Sequence, residues 1–81
     1  MNVDRLVTMA NDIGAFFDAE PDKVEAAKSI ASHLRRFWDP RMRRQIIAHN
    51  VEGGTGLKDI VRSAIALLPA VADTRDLIPN K

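Results

Sequence analysis

The chain has 81 residues, no cysteine and a formal net charge of +1. That length allows one domain, which buries only roughly 60–65% of the surface its unfolded form exposes, and without cysteine neither a disulfide framework nor a thiolate metal site reinforces it. Asp4 and Arg5 precede any apolar run and no stretch approaches the roughly 18 apolar residues of a membrane span, so the sequence predicts neither secretion nor membrane insertion and fits a reducing cytosol.

Val3, Leu6, Val7, Ala10, Ile13, Gly14 and Phe17 recur at helical spacing behind Asn2, a suitable N-cap, and predict an amphipathic helix over residues 3–18. Ala19-Glu20-Pro21-Asp22 stops it and restarts the chain. Pro21 suits the first position of a second helix, and Asp22 and Glu25 favour its positive end. This helix should run to about Trp38, with Val24, Ala27, Ile30, Ala31, Leu34, Phe37 and Trp38 on its apolar face and Ser29, Ser32, His33 and Arg36 opposite.

Asp39-Pro40 breaks the pattern. A residue before proline is pushed out of the α region, and aspartate followed by proline is the sequence of an N-cap and first helical residue. A third helix is predicted over 40–50, with Met42, Ile46 and Ile47 apolar, closed by Gly53-Gly54-Thr55-Gly56, which reads as a flexible helix–helix link. Leu57, Ile60, Val61, Ala64, Leu67 and Leu68 describe a fourth helix ending near Pro69. The expected fold is all-α, a small three- to four-helix bundle over residues 1–69, with a weakly patterned segment 70–81 that orders only on a partner.

The apolar residues come in adjacent pairs: Phe16-Phe17, Phe37-Trp38, Ile46-Ile47, Ile60-Val61 and Leu67-Leu68. Neighbours on a helix point about 100° apart, so both members cannot occupy the centre of one buried stripe. Some of this surface is expected beside the core and open to another protein, unless wide stripes bury it all.

No catalytic constellation emerges. His33 and His49 are the only histidines and lack the spacing of a metal site, His33 reading as a solvated polar-face residue and His49 as a residue near a helix C-terminus. The acids of the first third are spread over helix ends, where they serve capping and solubility rather than acid–base work. The glycine run lacks the preceding strand and the Gly-Lys-Ser/Thr ending of a phosphate loop.

What remains is the window His33–Arg44, with five arginines, no lysine and the only tryptophan. It sits in the basic part of the chain: residues 28–49 hold six bases against Asp39 alone, whereas residues 1–27 hold six acids and two bases. Arginine and tryptophan are enriched among interface anchors, since the guanidinium pairs bidentately with carboxylates and the indole buries a large area at low entropy cost. The same residues suit nucleic-acid phosphates and bases, or a purely structural role with Phe37 and Trp38 in the core and the arginines solvated or paired to the acidic first helix. A modest net charge and that acidic helix count against nucleic acid.

The run Arg35-Arg36-Phe37-Trp38-Asp39-Pro40-Arg41-Met42-Arg43, with Leu6 to Phe17 and Gly53-Gly54-Thr55-Gly56-Leu57, resembles the delta subunit of NAD-dependent formate dehydrogenases over about residues 3–68. The resemblance implies a cytoplasmic accessory subunit that is not an enzyme by itself. The complex it implies oxidises formate to carbon dioxide and reduces NAD. Its molybdenum or tungsten bis-pterin guanine dinucleotide and iron–sulfur clusters lie on an alpha subunit, with FMN and further clusters on beta and gamma subunits and no cofactor on the delta chain. On this reading the chain docks on the alpha subunit for structural stabilisation or for assembly and cofactor maturation. The expected contacts are Arg36, Phe37 or Trp38, Arg41, Arg43 and Arg44, with Asp39 and Pro40 as a structural junction. The alternative is a small helical module that binds nucleic acid through its basic patch.

Overall fold

Asn2 opens the first helix, its side-chain oxygen accepting the Asp4 amide at 2.7 Å. In the computed structural model, which describes residues 2–68, this helix, α1, spans Val3–Phe17. Helix α2 spans Lys23–Phe37, α3 Pro40–Val51 and α4 Asp59–Ala66, and there is no strand among the described residues. The all-α expectation holds, with four helices. The segment 70–81, expected to order on a partner, lies outside the described residues.

Two helix starts differ from expectation. Pro21 is not the first residue of α2: Asp22, in extended conformation, is the N-cap and accepts the amides of Val24 and Glu25 at 3.0 and 3.2 Å. A carboxylate that satisfies two orphan amides outweighs the pre-set φ of proline, so Pro21 falls just outside the helix. Leu57 likewise precedes α4 rather than starting it, yet its side chain is buried.

Helix α1 touches all three others, and α2 packs most extensively on α4. Leu6, Ile30, Leu34, Ile46, Val61 and Ile65 are fully buried, each worth about 1.5–3 kcal/mol of hydrophobic stabilisation. The close crossing of α1 and α4 depends on Gly14: a Cβ there would lie 2.4 Å from Cγ2 of Val61.

The link between α3 and α4 is pinned, contrary to the flexible connection its glycines suggest. Gly53, at φ 118°, follows the C-cap of α3, and the amides of Gly54 and Gly53 donate to the carbonyls of His49 and Asn50, closing the helix as a Schellman turn. The Asn11 side chain then clasps the loop from α1, donating to the Gly56 carbonyl at 2.8 Å and accepting the Lys58 amide at 3.0 Å. His49 Nε2 donates to the Thr55 carbonyl at 2.8 Å, and Asn50 Oδ1 accepts from Arg62 Nε at 2.9 Å. The histidine near the helix end therefore serves the fold.

Candidate partner interface

Helix α2 ends at Phe37, and the next two residues are both extended: Trp38 at φ −91°, ψ 139° and Asp39 at φ −74°, ψ 164°. The Asp39 carboxylate accepts the Met42 amide at 2.9 Å and Pro40 takes the first position of α3, so the junction is capped as the sequence predicts. The result is a two-residue corner between α2 and α3, capped on the α3 side by Asp39.

The corner splits the aromatic pair. Trp38 points into the core and is 5% exposed, whereas Phe37 is 71% exposed. Val24, also expected on the buried face of α2, is exposed as well, and Ala26 is buried in its place. The buried stripe is thus rotated away from Val24 and Phe37. Of the other pairs, Ile46, Val61 and Leu68 are buried while Ile47 and Ile60 are half-buried and Leu67 is exposed.

The arginines divide in the same way. Arg43 is half-buried and its guanidinium donates to the carbonyls of Arg35, at 3.1 Å, and Trp38, so it caps the end of α2. Arg36, Arg41 and Arg44 are exposed. Among the described residues Arg36 and Arg41 have no ion-pair partner; the ion pairs of the acidic first third go to lysines, Lys23 with Asp18 and Lys28 with Glu25. Those two pairs are solvent-exposed and contribute little to stability.

His33 is not a solvated polar-face residue. It is half-buried, its ring centroid 4.6 Å from Phe37 and 6.4 Å from Phe17, and Phe17 meets Phe16 edge-on at 5.0 Å. His33 and Phe37 stand one turn apart on the same flank of α2, so the helix places both beside the core, and α1 brings Phe17 against His33 with Phe16 on the outer side of Phe17. A cleft of about 240 Å³ lies there, lined by Phe17, Ser29, Ser32, His33, Arg36 and Phe37. The spacing of His33 and Phe37 was the available signal; the contribution of Phe16 and Phe17 was not.

A second, larger groove of about 700 Å³ runs between α2 and α4, floored by Val24, Ala27, Ile60 and Leu67 and rimmed by Asp18, Lys23, Lys28, Lys58 and Asp59. Among the described residues no group of three or more His, Asp or Glu could hold a metal ion, and no helix is long and apolar enough to cross a membrane.

The family model of the NADH-dependent formate dehydrogenase delta subunit, FdsD, matches residues 5–65. The chain belongs to the formate dehydrogenase delta subunit family. The matched span contains the corner, the aromatic row and all but the edges of the four-helix fold, in agreement with the resemblance carried by the sequence. No curated protein and no solved structure matches this member of the delta subunit family.

Proposed function

We propose that this chain is a non-catalytic accessory subunit of a cytoplasmic NADH-dependent formate dehydrogenase, docking on its alpha subunit through the corner between α2 and α3. The observation that carries this reading is Phe37, a large apolar side chain 71% exposed beside Arg36 on a corner that is already rigid. Exposed aromatic and arginine residues on a fixed backbone are the makings of an interface hot spot.

In this reading Phe37 is the apolar anchor, and Arg36, Arg41 and Arg44 meet carboxylates or carbonyls of the alpha subunit. Trp38, Asp39, Pro40 and Arg43 hold the corner in shape. Formate oxidation belongs to the partner subunits, which carry the molybdenum or tungsten pterin cofactor, the iron–sulfur clusters and FMN. The delta chain contributes stabilisation of the complex, or assembly and cofactor maturation.

The test is co-purification of the tagged chain with co-expressed alpha, beta and gamma subunits. The wild-type chain is expected to retain the alpha subunit, and the variant Phe37→Asp, Arg41→Glu, Arg44→Glu to lose it while keeping its helical circular dichroism. Normal retention by that folded variant would overturn the proposed surface.

A further inference from the structure

The cleft between α1 and α2 has a chemistry of its own. Phe17, His33 and Phe37 give it ring surfaces, whereas Ser29, Ser32 and Arg36 supply hydroxyl and guanidinium donors. Among the described residues no carboxylate lines it. The surrounding segment 28–49 holds six bases against Asp39, whose carboxylate is engaged as the cap of α3. The cleft is therefore a small apolar recess with an unanswered positive edge, and Arg36 has no ion-pair partner among the described residues.

We infer that this cleft receives an acidic, apolar segment of the partner subunit: one large apolar side chain inserted against Phe17, His33 and Phe37, with a neighbouring Asp or Glu paired to Arg36. The inference rests on the docking reading above and extends its surface from the corner onto α1. Charge complementarity selects the occupant. A guanidinium at the mouth of an apolar recess favours a carboxylate because its fork matches both oxygens, and a partly desolvated pair is stronger than one in open water. The larger groove between α2 and α4 gives no such direction: its rim alternates Lys23, Lys28 and Lys58 with Asp18 and Asp59, and Lys23 and Lys28 are already paired.

The test uses the full chain co-expressed with the other formate dehydrogenase subunits, carrying the photo-crosslinker p-benzoylphenylalanine in place of Phe37 or, separately, of the equally exposed Phe16. A third chain carries it in place of Val24 in the other groove. Irradiation of the purified complex is expected to join positions 37 and 16 to a partner-subunit peptide with an Asp or Glu within a few residues of the cross-link. Adding Arg36→Glu should lower that yield at least roughly tenfold, Arg36→Lys much less, and neither should alter the product from position 24.

A partner peptide without acids, or a yield indifferent to Arg36→Glu, would each overturn the inference and leave the docking reading standing, whereas a cross-link from position 37 to a second copy of this chain would overturn both. Failure of the wild-type chain to co-purify would overturn both.

Discussion

The Arg43 guanidinium lies on the carbonyl oxygen of Trp38 and, at 3.1 Å, on that of Arg35, so a cation from the first turn of α3 closes the last turn of α2. The final carbonyls of a helix have no intrahelical partner and carry the negative end of its dipole. Arg43→Ala is expected to lower unfolding free energy by about 1–2 kcal/mol, because it leaves two carbonyls without their donor. Both bonds come from the single nitrogen Nη1, so Arg43→Lys should recover part of this, limited by the shorter reach and stronger hydration of an ammonium. Urea unfolding of both variants beside Arg41→Ala, expected to change stability by less than about 0.5 kcal/mol, separates the structural arginine from the exposed one.

Phe37 and Trp38 should respond in opposite ways to truncation. Trp38→Ala removes a buried indole and is expected to cost about 3–5 kcal/mol, enough to unfold much of so small a domain. Phe37→Ala should leave the thermal midpoint nearly unchanged while weakening retention of the alpha subunit. Thermal denaturation followed by circular dichroism, paired with co-purification, reads both.

Gly14 admits no side chain while Val61 is present. Alanine is the better helix former by about 1 kcal/mol, yet its Cβ would stand 2.4 Å from Cγ2 of a β-branched residue with no long side chain to swing aside. Gly14→Ala is expected to destabilise by about 1–3 kcal/mol through overpacking. The double variant Gly14→Ala, Val61→Ala should be more stable than the sum of the single changes predicts. A double-mutant cycle with no coupling would rule out this contact.

Among the described residues the Oε1 of Gln45 is buried without a hydrogen-bond partner. A buried acceptor left unmade is a cost that an apolar group of similar shape does not carry. Gln45→Met is therefore expected to raise stability by up to about 1 kcal/mol, visible as a higher urea midpoint with an unchanged slope.

Local chemistry made Asn2, Asp39 and Pro40 legible, because each cap acts within three residues of itself. Which of Phe37 and Trp38 enters the core was not. Helical periodicity stops at Phe37, and the extended backbone of Trp38 aims the indole in a direction no helical projection gives. The same applies wherever the partner lies far along the chain. Asn11 holds Gly56 across 45 positions, and Gly14 meets Val61 from another helix. The sequence left the arginines either solvated or paired to the acidic first helix; among the described residues Asp18 and Glu25 pair with neighbouring lysines, and Arg36 and Arg41 have no ion-pair partner.

The capped corner sets how an encounter with another subunit unfolds in time. The Met42 amide is satisfied by Asp39, and the Arg35 and Trp38 carbonyls by Arg43, before any partner arrives, so little of the backbone there has to be ordered on contact. If the alpha subunit docks at this surface as proposed, the encounter is a rigid-body collision. Its on-rate is set by the attraction of the exposed arginines and falls as ionic strength rises, and its lifetime is set by how deeply Phe37 is covered.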